Sequence, residues 1–283
     1  MKSLSDIERI EVERRSIDLA DFKKRSAVEG DYDRLIKNDC ALYRDGKLIL
    51  LYITPDESLE ELRAVCNRVP YATTTRTNGM VSTSRVFGFE PRNAIRKDFC
   101  STTALANDNP EEHGYLMESG KLMAKYYQAY NPDLYAEHDD LSEQNLDRQY
   151  RIEGMPYTSG IVNKNNPLKY HFDTGNYKNV WSGMITLKDG IEGGHLALPE
   201  FGLGVELKDN TFFMFDGQGI LHGVTPIKRK RPDATRYTIV YYSLSRMWQC
   251  QTIDDELIRI RKLRTERERL DHKQEVIRRQ KGG

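Results

Sequence analysis

The chain has 283 residues, with 43 Lys+Arg against 43 Asp+Glu, 38% hydrophobic and 30% charged. It is long enough for a sizeable core, and the balanced charge excludes a polycation that holds nucleic acid by net charge alone. No apolar run reaches a membrane span, and MKSLSDIERIEVERR lacks the apolar stretch of a secretory signal. A cytoplasmic protein is therefore expected, with its four scattered cysteines (Cys40, Cys66, Cys100, Cys250) as reduced thiols.

Residues 4–38 are charge-dense with imperfect apolar spacing, and predict one or two surface helical or irregular segments. LILLYI at 48–53 predicts a buried strand. Asp56 to Asn67 predicts a helix, with Glu60 and Glu61 in its early turns. Residues 71–104 read as strands joined by loops and carry Arg76, Arg85, Arg92 and Arg96. Pro110 followed by Glu111 and Glu112 opens a helix over 110–131. Residues 133–150 read as an acidic loop or a short helix.

From about Met155 to Leu244, short β-type runs alternate with turn residues, the pattern of a sandwich or barrel. Residues 252–281 return to a helix with ten Lys/Arg and seven Asp/Glu. The expected organisation is one α+β catalytic domain. It has a mixed N-terminal part (1–154) whose helices pack on a jelly-roll core (155–246), then a charged C-terminal helix (247–283).

The chemistry concentrates in the β-rich part. His171-Phe172-Asp173 places an imidazole and a carboxylate at i and i+2, which share one face of an extended strand. His222 opens HGVTPI, 49 residues after Asp173. Two histidines and one carboxylate make the facial triad of non-haem Fe(II) oxygenases, which leaves positions open for cosubstrate and oxygen. Arg236 follows in RYTIVYY, with Thr238 on the same strand face. A buried guanidinium beside a hydroxyl suits the far carboxylate of 2-oxoglutarate. His195 reads as a core or supporting histidine, and His113, His138 and His272 as surface residues.

HFD at 171–173, the GGHLALPE-to-HGVTPI stretch at 193–227 and RYTIVYYS at 236–243 resemble the TET/JBP group of 2-oxoglutarate/Fe(II) dioxygenases, over roughly residues 70–246. The resemblance implies a double-stranded β-helix. It implies iron on His171, Asp173 and His222, and 2-oxoglutarate on Arg236. The implied reaction is O2-dependent hydroxylation of a pyrimidine 5-methyl group in DNA, with 5-methylcytosine favoured and thymine next. The target base would leave the duplex, since a stacked base cannot reach a buried metal.

Candidate contacts to such a base are Asn163, Asn165, Tyr170, Phe172, Asn176 and Trp181, with Phe172 facing the core if its strand is regular. Candidate backbone contacts are Lys228, Arg229, Lys230 and Arg231, with Arg76, Arg85, Arg92 and Arg96 as a second strip that could instead pair with the acids of 133–145. No membrane and no obligate protein partner is inferred. A small-molecule or protein hydroxylase on the same scaffold, and a metal-holding binding module without turnover, remain alternatives.

Overall fold

The computed structural model describes residues 1–75, 81–93, 95 and 98–281. The strands run β1 (Glu8–Glu11), β2 (Arg34–Ile36), β3 (Cys40–Arg44), β4 (Lys47–Ile53), β5 (Ala72–Thr75), β6 (Val81–Glu90), β7 (Ser101–Thr102), β8 (Ser159–Lys164), β9 (Ser182–Asp189) and β10 (Ile191–Gly193). They continue with β11 (Leu196–Leu198), β12 (Leu203–Val205), β13 (Thr211–Phe215), β14 (Gly223–Val224), β15 (Ile227–Arg229) and β16 (Thr235–Tyr242). The α-helices are α1 (Glu60–Arg68), α2 (Ala104–Asp108), α3 (Pro110–Tyr130), α4 (Pro132–Asn145) and α5 (Ile253–Lys281).

Ten strands form one large sheet in the order β1-β3-β4-β13-β9-β16-β8-β6-β5, with β7 beside β6. A four-stranded sheet, β14-β11-β12-β2, lies against it, and β10 and β15 form a separate ribbon. Leu50, Tyr52, Phe213 and Phe215 from the large sheet pack with Leu196, Leu198, Leu203, Val205 and Val224 from the small one. This is the expected α+β jelly roll. The other face of the large sheet carries α1 and α3, through Leu62, Val65, Leu116, Met123, Tyr126 and Tyr127.

Strand periodicity divides β16 between these two cores. Tyr237, Ile239 and Tyr241 are fully buried under the helices, while Arg236, Thr238, Val240 and Tyr242 face the interior between the sheets. Gly183 on β9 lets α3 approach, since a Cβ there would lie 2.4 Å from Met123 Cγ.

Several expectations change. The N-terminal segment holds three short 3-10 turns (Leu4–Asp6, Leu19–Phe22, Glu29–Asp31) in irregular chain, as expected, but it also adds β1 in parallel to β3 and β2 in parallel to β12. Strands from residues before 155 thus complete both sheets. Residues 132–145 are a full helix, and His138 on it is completely buried, not a surface residue. His138 Nε2 lies 2.8 Å from Ser243 Oγ, and the Ser243 hydroxyl donates to the Pro156 carbonyl at 2.8 Å. His138 therefore donates to Ser243. His113 is also half-buried; its Nε2 accepts the Gly88 amide at 3.1 Å. Cys100 and Cys250 are joined in a disulfide, against the expectation of four free thiols, while Cys40 and Cys66 are free and buried. Sequence spacing could not foresee that pair, because 150 residues separate its members. His272 is exposed on α5, as expected. Among the described residues, no helix is long and apolar enough to cross a membrane.

Candidate active site

His171 and His222 face each other as an isolated antiparallel bridge. The His171 amide donates to the His222 carbonyl at 2.9 Å, and the His222 amide donates back at 3.1 Å. The chain then turns tightly, with the Thr174 amide on the Phe172 carbonyl at 2.8 Å. The HxD motif is thus one bridged residue followed by a turn, not a regular strand. That explains why Phe172, expected to face the core, lines the same cavity as its neighbours.

Asp173 Oδ1 lies 3.5 Å from His171 Nε2 and 3.7 Å from His222 Nε2. The three side chains offer donor atoms that lie within 4.8 Å of one another, a cluster able to hold a metal ion. Each imidazole is oriented from behind. His171 Nδ1 faces the Lys169 carbonyl at 2.7 Å, and His222 Nδ1 faces the Ile220 carbonyl at 2.9 Å. A carbonyl accepts only, so each Nδ1 carries the proton and each Nε2 presents its lone pair to the cluster. Burial, reinforced by His171, pushes the His222 pKa down to about 4, which keeps its ring neutral. Gly217 leaves room for the carboxylate, because a Cβ there would sit 2.3 Å from Asp173 Oδ2.

A cavity of about 330 Å³ extends from this cluster to Arg236 and Thr238. Arg236 is only 2% exposed, and its Nε and Nη2 have no hydrogen-bond partner. Burial lowers its pKa to about 10, so it stays charged at neutral pH. Lys188, its register partner on β9, has its pKa lowered by burial and by Arg236. A buried guanidinium with orphaned donors is a costly arrangement unless an anion arrives to fill it. The residues present therefore fit a dicarboxylate cosubstrate and a divalent metal.

Other candidates divide. Asn163 and Asn176 line the cavity, and the Asn176 amide donates to Ser182 Oγ at 3.2 Å. Asn165 does not line it; its Oδ1 accepts the Arg236 amide at 2.7 Å and fixes that strand. Tyr170 is diverted from any substrate role, since its hydroxyl donates to Asp31 at 2.8 Å and its ring meets Phe22 edge-on. Trp181 is 2% exposed and stacks on Tyr127 in the helix-facing core. His195 sits behind the small sheet, 2.8 Å from the Tyr32 hydroxyl. Tyr242, missed in the sequence, lines the cavity. The period-2 argument that paired Thr238 with Arg236 reaches it when carried two residues further at each step.

Among the cations, Arg85 is committed to Asp108 and Arg92 to Glu256, not to the acids of 133–145. Lys228 to Arg231 are exposed. Lys230 pairs with Glu192 at 2.8 Å, Lys228 lies 4.0 Å from the same carboxylate, and Arg231 pairs with Asp189 and Asp233. Arg76 and Arg96 lie outside the described residues.

Comparisons with known proteins bear on the family and the fold. The chain is 22% identical over 170 residues to the thymine dioxygenase JBP1 of Trypanosoma brucei brucei, covering 59% of this chain and 20% of that protein. It thus spans about a fifth of that relative's length. The structure of NgTET1 in complex with 5mC DNA superposes with a TM-score of 0.57 at 16% identity, covering 81% of this chain and 90% of that one. Residues 85–245, more than half of the chain, match the Tet_JBP family model, described as the oxygenase domain of the 2OGFeDO superfamily. The chain belongs to the Tet_JBP family, and residues 85–245 are its 2OGFeDO-superfamily oxygenase domain.

Proposed function

We propose that this dioxygenase hydroxylates the 5-methyl group of a pyrimidine in DNA, 5-methylcytosine first and thymine next, on a base flipped out of a double strand. The observation that carries the reading is one cavity with a two-histidine, one-carboxylate cluster at one place and an orphaned buried guanidinium at another. The DNA substrate is supported by the named relatives, a thymine dioxygenase and a protein solved with 5mC DNA.

In this reading His171, Asp173 and His222 would hold the iron, and Arg236 with Thr238 would hold the distal carboxylate of 2-oxoglutarate. When bound, iron and 2-oxoglutarate supply the oxygen activation that replaces a methyl hydrogen by hydroxyl. Leu196, Phe215 and Val224 line the cavity with apolar surface, and the Phe215 ring meets that of His222 edge-on at 5.0 Å. Asn163 and Asn176 offer amide groups to the polar edge of a base, and Tyr242 offers a ring to its face. His222 is 6% exposed, so a base stacked in a duplex could not reach it. Lys228 and Arg229 are our candidates for phosphate contact beside this site. The whole chain acts as one catalytic domain, because strands before residue 155 complete both sheets.

The test is incubation with 5-methylcytosine-containing duplex, Fe(II) and 2-oxoglutarate, followed by nucleoside mass spectrometry. 5-Hydroxymethylcytosine, or 5-hydroxymethyluracil from thymine, is expected. Succinate release without oxidised nucleoside would move the substrate to a small molecule or protein.

A further inference from the structure

The family match ends at residue 245, and the segment beyond it is attached directly to the cavity wall. Leu244 and Asn176 are bridge partners, and both line the cavity. The Ser245 amide donates to the Gly175 carbonyl at 2.9 Å. Trp248 comes next, 42% exposed, with its ring 5.0 Å from that of Tyr177. Arg246 is exposed and reaches the Arg92 carbonyl at 2.9 Å.

The base of α5 is then fixed. Cys250 is bonded to Cys100, Glu256 pairs with Arg92 and accepts the Cys100 amide at 3.2 Å, and Ile260 is buried. Past Ile260 the helix keeps only marginal contact with the body, through half-buried Leu263 and the Arg267–Asp98 pair, and every residue from Arg264 to Ile277 is exposed. Arg259, Arg261, Lys262 and Arg264 stand at this exit with no acid among residues 259–264. The Asp98 segment answers them: Arg259 donates to the Asp98 carbonyl at 2.5 Å, Arg267 pairs with its carboxylate at 2.5 Å, and Arg264 adds its field. One carboxylate facing three guanidiniums leaves an excess of positive charge.

We propose that Arg246, Trp248 and the cationic base of α5 form a second contact surface for the DNA backbone, continuous with the cavity wall. The inference rests on DNA being the substrate. Clustered exposed arginines match a phosphate polyanion, and an exposed indole next to the cavity offers a stacking face for a nucleotide. A second copy of this chain would need a continuous apolar seam along α5. Leu263, Leu270 and the exposed Ile277 recur every seven residues, but Glu266, Arg267, Lys273 and Gln274 occupy the positions between them that would join them into one seam.

The experiment measures binding of a 5-methylcytosine duplex across a salt series, using the full chain. It compares wild type with Arg261→Ala/Lys262→Ala/Arg264→Ala, with the same arginines changed to Lys, and with Trp248→Ala. For the triple Ala variant, affinity should fall roughly tenfold or more, and the salt slope should become shallower by about one per lost contact. KM for duplex should rise while kcat at saturating duplex stays unchanged. The Lys variants should bind like wild type, and Trp248→Ala should weaken binding without changing the slope. Unchanged affinity and slope in the triple variant, with wild type oxidising the duplex, overturns the proposal. So does loss of a wild-type dimer, by light scattering, with DNA affinity intact. If wild type oxidises no DNA, the substrate reading fails first and takes this surface with it.

Discussion

His171 and His222, 51 positions apart in the sequence, exchange both backbone hydrogen bonds, at 2.9 and 3.1 Å. Their imidazoles are therefore placed by main chain, with ring centroids 4.3 Å apart, whatever occupies the cluster. His171→Ala, Asp173→Ala and His222→Ala should each reduce succinate release to below about a hundredth of wild type. Circular dichroism should show the fold retained. A variant that keeps turnover removes its residue from the metal set.

Arg236→Met should separate cosubstrate binding from folding. It removes a buried charge with two orphaned donors, so the ligand-free protein should melt no lower than wild type. The KM for 2-oxoglutarate should rise at least tenfold, and the wild-type thermal stabilisation by 2-oxoglutarate should vanish. An unchanged KM would mean the carboxylate binds elsewhere.

Gly217→Ala tests the space behind the carboxylate. The new Cβ would fall 2.3 Å from Asp173 Oδ2, so the carboxylate must move. Metal titration should show an iron requirement raised roughly tenfold or more, as expected when a ligand loses its orientation. The melting temperature should change little.

His138 makes the protein acid-sensitive. Burial lowers its folded-state pKa to about 3, against 6.5 for an unperturbed ring. Between these values the unfolded chain binds a proton that the folded one refuses. Stability is therefore full above pH 6.5 and falls on acidification toward pH 3, with a slope of about 1.4 kcal/mol per pH unit. His138→Asn should take about 1.4 kcal/mol per pH unit off that slope in urea unfolding measured against pH, leaving the share that the buried, neutral His222 contributes.

Trp181 and Tyr242 should behave oppositely. Trp181→Ala, in the helix-facing core, should cost about 3–5 kcal/mol in urea unfolding, while Trp181→Phe keeps activity. Tyr242→Ala should leave stability nearly unchanged and raise KM for DNA. If Trp181→Phe abolished DNA oxidation at full stability, its exclusion from the substrate pocket would be wrong.

The chain made legible whatever period-2 alternation or a short motif fixes locally. The β16 face of Arg236 and Thr238 is such a case, and so is the triad. Its members are identifiable by residue type, and the bridge that joins them adds only geometry. The features that escaped depended on distant partners. Tyr170 is turned away by Asp31, Trp181 by Tyr127, and Arg85 and Arg92 by Asp108 and Glu256. The parallel addition of β1 and β2 was invisible for the same reason, since four- and three-residue strands carry almost no alternation of their own.

That addition bears on how the enzyme can be cut. β13 pairs with β4 on one side, and β4 leads through β3 to β1, while β2 finishes the small sheet. A fragment trimmed to residues 85–245 would expose the flank of β13 along Phe212, Phe213, Met214 and Phe215, a sticky, aromatic rim. Expression of the matched region alone should give inclusion bodies, and an inactive pellet from it would say nothing about the catalyst.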